Sequence, residues 1–255
     1  MPGLAGRTAL LTGGGRGIGR AIALDLAAAG VKVAVASRTR AETDAVAREA
    51  GSGSIALTAD VANPTSVRMM FRDARAALGD IDILVNAAGV APSAPLVKTT
   101  DEQWRQALDV NLSGPFYCLR EALPSMTVRG WGRVVNIASI AGKAGAPYIA
   151  AYAASKHGLL GLTKVAALES AARGVTVNAV CPGYVDTPMT DESIRRVVEK
   201  TGLPATEVRK RLEDSSPQKR LYTAAEVSAL VLFLCSEAAS GINGQALSID
   251  GGTVQ

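Results

Sequence analysis

The sequence predicts an α/β fold in which a doubly wound parallel β-sheet carries helices on both faces. Three observations predict it. Short apolar, often β-branched runs alternate with helix-forming stretches along the chain. The first strand, a glycine turn, a helix and a second strand fit within about thirty residues, the length of a βαβ unit. Helix-start signals recur between the apolar runs, at Asn63-Pro64, at Thr100 with Gln103 and at Thr223 with Glu226.

In order, Thr8–Thr12 is a strand and Gly13 to Gly19 a glycine-rich turn. An Ala- and Leu-rich helix over 20–29 is closed by Gly30 in the position of a C-cap. Residues 31–36 and 54–59 read as strands. Asn63 and Pro64 open a helix that reaches about Leu78. The strand over 81–86 ends in Asn86-Ala-Ala-Gly89, and Thr100 with Gln103 forms a capping box before a long helix. A strand at 133–138, a helix at 148–172, a strand at 175–180, a helix from Thr223 to Ser236 and a short strand at 245–249 complete the alternation. Such an order implies a parallel sheet covered on both sides. Between 186 and 220 there is no strand, charges of both signs are dense, and Pro204 and Pro217 break the stretch into short helices. A segment beyond the carboxyl end of a strand is where ligands bind in such sheets, so it reads as a lid over substrate; a solvated surface excursion is the alternative.

Composition narrows the function. The 255 residues, 48% hydrophobic, suffice for one sizeable core, and no linker divides them, which favours one domain over 1–255. Net charge is +4, spread along the chain, and aromatics are 4%, a poor basis for nucleic-acid binding but suited to anionic small molecules. The longest uncharged stretch, 83–97, is interrupted by Pro92 and Pro95 and is too short for a bilayer. The amino terminus lacks an apolar signal core, which reads as a cytoplasmic protein. Cys118, Cys181 and Cys235 have neither metal nor redox spacing and read as buried thiols.

The turn Thr12-Gly-Gly-Gly-Arg-Gly-Ile-Gly19 is a variant of the dinucleotide fingerprint. Gly13, Gly15, Gly17 and Gly19, with Arg16 and Ile18 between them, let backbone approach a pyrophosphate, and the following helix points its N-terminal N–H groups at that anion. After the second strand an NAD site usually has a carboxylate for the ribose 2′-hydroxyl, whereas this chain has Ser37-Arg38-Thr39-Arg40. Guanidinium donors bind a 2′-phosphate, and Arg16 in the turn adds a second charge, so NADP(H) is the expected cofactor. Otherwise Arg38 and Arg40 merely cap a surface turn.

Tyr152 and Lys156 lie four apart on a predicted helix and share a face. Ser139 follows a strand end, and Asn111 falls inside the long helix despite its modest helix propensity. With these residues the sequence resembles the short-chain dehydrogenase/reductase family of single-domain type. The resemblance is carried in order by Thr12-Gly-x-x-x-Gly-x-Gly19, Asp60-Val61, Asn86-Ala-Ala-Gly89, Asn111, Ser139, Tyr152-x-x-x-Lys156 and Pro182-Gly183. It spans essentially the whole chain; Ala87 stands where many members have Asn.

The resemblance implies a Rossmann-like sheet of seven strands, usually in a homotetramer (a homodimer is the other option). It implies that Tyr152 exchanges a proton with the substrate oxygen, that Ser139 orients that oxygen, and that Lys156 bonds the nicotinamide ribose and lowers the phenol pKa from near 10. Asn111 would hold a water linking Lys156 to solvent. Asp60 with Val61 would meet the adenine, Asn86 and Gly89 the adenosine ribose, and Pro182, Gly183, Val185 and Thr187 the nicotinamide end, Thr187 through the carboxamide or else as a plain helix cap. His157 faces away from Tyr152 and reads as structural, and no histidine cluster offers a metal site.

The loops 90–95 and 140–147 are small and largely apolar, leaving room for an extended substrate. Residues 136–189 resemble ketoreductases acting on 3-oxoacyl thioesters, including those of polyketide pathways. Arg209, Lys210, Arg211, Lys219 and Arg220 then meet the phosphates of coenzyme A or an acidic carrier protein, or form a solvated helix face. Two other readings stand beside a 3-oxoacyl thioester reductase: a dehydrogenase of a sugar, steroid or aromatic alcohol, and a non-catalytic NADP(H)-binding sensor or scaffold.

Overall fold

The computed structural model describes residues 3–51 and 53–254. Seven strands are β1 Thr8–Thr12, β2 Lys32–Ser37, β3 Ile55–Thr58, β4 Ile83–Asn86, β5 Gly132–Ile137, β6 Val175–Pro182 and β7 Ala246–Ile249. All pair in parallel, in the order β3-β2-β1-β4-β5-β6-β7. The predicted strands match within two residues at each end. The helices are α1 Gly17–Ala28, α2 Arg40–Ala50, α3 Pro64–Leu78, α4 Asp101–Leu108, α5 Gly114–Arg129, α6 Ala150–Ser170, α7 Pro188–Thr201, α8 Ala205–Asp214 and α9 Ala224–Cys235.

The central strands are buried end to end because successive side chains enter two different cores. In β1, Ala9 and Leu11 join Ile22, Leu26, Val231 and Leu234 of α1 and α9. Leu10 points the other way, toward Phe71 of α3, Met126 of α5 and Ala167 of α6. Each helix therefore needs only a stripe of apolar residues. Asn63 caps α3 by accepting from the Thr65 and Ser66 amides, and both predicted capping boxes form, at α4 and α9. Each cap stabilises its helix by about 1 kcal/mol.

Four local readings are corrected. Helix α1 starts at Gly17 rather than residue 20, because the last two turn glycines enter its first turn. Helix α2 has no counterpart in the sequence reading: only Thr43, Val46 and Ala47 are buried, too thin a stripe to see against so many charges. Helix α6 starts at Ala150, since Tyr148 adopts a left-handed φ of 71° that no helix accommodates. The long helix after Thr100 is interrupted by a π-turn at Asp109–Ser113 that contains Asn111.

The sheet order reverses direction between β1 and β4, leaving a crevice at their carboxyl ends. The segment 186–220 leaves β6 and returns to α9 as helices α7 and α8, split at Gly202–Pro204. Its ends are joined by a bridge between Val185 and Tyr222, with Asp186 N donating to Tyr222 O and Tyr222 N to Tyr184 O.

Candidate active site

The glycine turn, Asp60-Val61, Asn86-Ala-Ala-Gly89, Ser139 and Pro182-Gly183 lie at the carboxyl ends of strands, so the parallel sheet collects them on one rim, while Asn111 and Tyr152-x-x-x-Lys156 sit on helical segments. Thr12 and Asn86 are register partners at that rim, as are Asn86 and Asn136. Gly13 has a φ of 69°, and a Cβ there would stand 2.5 Å from Ala88 N; one on Gly19 would stand 2.2 Å from Gly13 O. Only glycine permits this close packing of the turn against the loop after β4. No side chain caps α1, and no acidic residue occupies its first turn, so its N–H groups and positive dipole end are open to an anion. The turn and helix start thus fit a dinucleotide pyrophosphate.

At the end of β2, Arg38 is exposed and, among the described residues, forms no ion pair. Arg40 is committed to Asp44 at 2.8 Å. A Cβ on Gly15 would lie 3.2 Å from Ser37 Oγ and 2.8 Å from Glu42 Oε2, so turn, strand end and a carboxylate absent from the sequence reading converge. Arg16 pairs with Glu192 of α7 at 2.9 Å, linking the turn to the segment above it. Asp60 accepts from Ala62 N at 3.0 Å, and Val61 packs on the start of α5 at Gly114. Gly183 donates to Ile249 O, Val185 is buried at the bridge, and Thr187 lies 3.5 Å from a Cβ on Gly17, its side chain capping no amide of α7.

Asn86 donates to Asn136 Oδ1 at 2.8 Å, and Asn136 donates to Thr163 of α6 at 2.9 Å. Asn86 Oδ1 is buried and has no hydrogen-bond partner among the described residues. Asn111, fully buried, accepts from Val90 N and donates to Val90 O, both at 2.9 Å, and also donates to Ser155 Oγ at 3.0 Å. Its side chain therefore clamps the loop after Gly89 to α6. Neither Ser155 nor Asn136 stood out in the sequence, although Ser155 precedes Lys156 and Asn136 lies three residues before Ser139.

Tyr152 and Lys156 share a face of α6, with the ammonium 5.7 Å from the centre of the phenol ring. Lys156 Nζ donates to Ile137 O at 2.8 Å, and a Cβ on Gly89 would stand 3.9 Å from it. Burial pushes the Lys156 pKa down to about 8. Burial also raises the Tyr152 pKa; the Ser139 hydroxyl favours the phenolate, while Tyr184 nearby opposes it. This reverses the expected direction for the phenol, because desolvation is the largest cause acting on it. Tyr184 follows Pro182-Gly183 and was not singled out from the sequence. Ser139 Oγ accepts from Ala141 N at 3.1 Å, which fixes the hydroxyl at the end of β5. His157, exposed, turns away with Nδ1 2.9 Å from Ala153 O.

The cations of the segment 186–220 divide into two sets. Arg209 pairs with Asp186 and Glu213, Lys210 with Asp214, Arg211 with Glu207 and Arg220 with Glu226, while Lys219 donates to Asp214 O. These belong to a solvated, self-neutralised face. On α7, Arg196 donates to Ala91 O at 3.2 Å and Lys200 to Ser93 O at 3.4 Å, against the loop 90–95.

The chain is similar to known proteins in sequence and fold. The family model described as enoyl-(acyl carrier protein) reductase matches residues 13–254. A D-beta-hydroxybutyrate dehydrogenase of Rhizobium meliloti is 38% identical over 252 residues, covering 96% of this chain and 98% of that one. A 3-oxoacyl-acyl-carrier-protein reductase of Staphylococcus aureus is 36% identical over 250 residues, covering 96% and 97%. Among solved structures, a variant of actinorhodin polyketide ketoreductase with NADPH superposes with a TM-score of 0.94 at 35% identity over 99% of both chains. Levodione reductase does so with a TM-score of 0.91 at 33% identity over 97% of both. With its glycine turn, its seven-stranded sheet and its Ser139, Tyr152 and Lys156 rim, the chain belongs to the short-chain dehydrogenase/reductase family and is an oxidoreductase interconverting ketones and secondary alcohols.

Proposed function

We propose that this chain is an NADPH-dependent reductase of 3-oxoacyl thioesters, working from a single domain over 1–255 with 186–220 as its lid. The observation that carries the reading is the shared face of Tyr152 and Lys156 at the end of β5, beside Ser139 and below the glycine turn. When bound, the nicotinamide supplies the hydride. The exposed, unpaired Arg38 supports a 2′-phosphate, with Ser37 and Gly15 beside it. Arg16 joins it on leaving Glu192. Gly13, Gly17, Ile18 and Gly19 cradle the pyrophosphate; Asp60, Val61, Asn86 and Gly89 line the adenosine, and Pro182, Gly183, Val185 and Thr187 the nicotinamide end.

Tyr152 gives its proton to the carbonyl oxygen as charge grows there, a step worth about 10²–10⁴-fold. Its raised pKa keeps it protonated at neutral pH, which suits reduction. Ser139 donates to the same oxygen and fixes its direction. Lys156 holds the ribose and passes a replacement proton toward Tyr152, which is resupplied by a solvent water that Asn111 would hold. The Asn111 side chain keeps the loop after Gly89 in place.

The thioester reading is supported by the printed activities of the acyl-carrier-protein reductase and polyketide ketoreductase relatives. A second reading, a dehydrogenase of a small free hydroxy acid, is favoured by Arg196. That guanidinium faces the loop 90–95 with no carboxylate partner among the described residues, and its Nε is buried and unbonded. The discriminating experiment follows NADPH oxidation with acetoacetyl-CoA, acetoacetate and a panel of simple ketones. Acetoacetyl-CoA is the preferred substrate on the first reading and acetoacetate on the second. Turnover of none would overturn both and leave a cofactor-binding protein.

The exposed Phe116 and Val128 of α5 and Val165 and Leu168 of α6 support packing against further copies, in a homotetramer. Three buried free thiols support a reducing, cytoplasmic setting. Among the described residues no helix is long and apolar enough to cross a membrane.

A further inference from the structure

Among the described residues, two that are not glycine hold a left-handed φ: Tyr148 at 71° and Lys219 at 55°. Fourteen glycines take the other positive-φ positions. A bulky side chain is strained in that conformation, whereas glycine is not. Lys219 lies in the turn between α8 and α9. Tyr148 lies at the edge of the cleft, four residues before Tyr152.

The backbone gives the turn its reason. Ala94 N donates to Tyr148 O at 2.8 Å, and Ala94 forms an isolated bridge with Ile149. The next residue begins α6, with Ala153 N donating to Ile149 O at 2.8 Å. The left-handed residue thus joins the loop 90–95 to the helix that carries Tyr152. A glycine would make the same turn without strain. The tyrosine ring returns little to the fold. The residue is 62% exposed, and its ring joins no aromatic pair or cation contact among the described residues. Strain of this kind collects where ligands bind.

Other large apolar side chains are uncovered on the same border. Tyr184 is exposed, and its phenol lies near enough to that of Tyr152 to raise its pKa. Met189 is exposed directly after Thr187 and Pro188, which lie 3.5 and 3.9 Å from a Cβ on Gly17. Leu96 and Val97, both exposed, continue the loop that Tyr148 holds.

We propose that Tyr148 is a specificity-determining residue whose ring packs on an apolar acyl tail extending from the substrate ketone. The inference rests on the reading of the chain as a reductase of acyl ketones, and it adds that the tail is longer than that of acetoacetyl. A tail of several methylenes can cover Tyr148 together with Tyr184 and Met189, and removing that surface from water favours the long substrate over the short one. A polar handle would leave the same faces without an apolar partner.

Chain length supplies the readout. kcat/KM is measured with 3-oxodecanoyl-CoA and acetoacetyl-CoA, and with 2-octanone and 2-butanone. The parent should prefer the longer member of each pair at least about tenfold, chiefly through KM. Tyr148→Ala and Tyr148→Gly should each cut that preference at least about fivefold, while Tyr148→Phe keeps it. Glycine also relieves the backbone, so Tyr148→Gly should unfold at a higher urea concentration than Tyr148→Ala. Loss of preference in both then follows the ring rather than the turn or misfolding. The proposal is overturned by a parent indifferent to length, by a preference that survives in Tyr148→Ala, or by one lost in Tyr148→Ala and kept in Tyr148→Gly. It is also overturned if Tyr148→Gly is no more stable than Tyr148→Ala. A length preference among the ketones without turnover of either thioester would overturn the thioester reading and leave the role of Tyr148 standing.

Discussion

Lys156 gives its ammonium to the Ile137 carbonyl at 2.8 Å, while the Tyr152 ring centre lies 5.7 Å from that nitrogen. The two side chains are thus neighbours on one helix face without a direct bond. Burial acts on both, raising the phenol and lowering the amine toward its neutral form. At neutral pH the pair is a phenol beside an ammonium, poised to donate.

The first prediction concerns the cost of that ammonium. Its folded pKa of about 8 lies below the ordinary 10.5, so between those pH values the unfolded chain binds more protons. Stability at Lys156 is therefore depressed below pH 8 and recovers as pH rises toward 10.5. Lys156→Met should raise the free energy of unfolding in urea at pH 7, measured without cofactor, by up to about 3 kcal/mol and flatten the alkaline rise. Reduction should fall to background in the same protein. A Met variant less stable than the parent at pH 7 would contradict this.

Removing the phenolic hydroxyl should separate binding from proton transfer. Tyr152→Phe should lose at least about 10²-fold in kcat while NADPH, followed by its fluorescence, binds with little change. Near-normal turnover would take Tyr152 out of its role.

Cofactor choice should depend on charge at the end of β2. Arg38→Ala should raise the KM for NADPH by about 10- to 100-fold, the loss of a charge-assisted hydrogen bond, and leave that for NADH nearly unchanged. Glu42→Gln, next to the turn, should act in the opposite direction by removing a repelling carboxylate. Equal effects of Arg38→Ala on the two cofactors would refute the 2′-phosphate assignment.

Asn111 should matter to architecture as well as to turnover. Asn111→Ala strands the Val90 N–H and C=O in a buried setting, and should cost about 2–4 kcal/mol by urea unfolding. Hydrogen exchange at the amide of Val90 should quicken. Unchanged protection there would show that the clamp does not hold the loop.

Much of this was legible in the sequence because it is local. The glycine turn, the caps at Asn63, Thr100 and Thr223, and the strand runs announce themselves within a few residues. The shared face of Tyr152 and Lys156 follows from helical spacing alone. What stayed hidden depends on partners distant in sequence. The Arg16–Glu192 pair spans 176 positions, and nothing beside Glu192 marks it. Asn136 matters because β4 and β5 bring it opposite Asn86. The reversed phenol pKa is a property of burial, which no spacing reveals.

The bridge between Val185 and Tyr222 ties together the two roots of the helical excursion above the cleft. A loop whose ends are already joined can gain or lose length at a cost that grows only logarithmically. Changes of length are thereby confined to α8 and its flanks, since α7 stays tied to the glycine turn through Arg16 and Glu192 and to the loop 90–95 through Arg196.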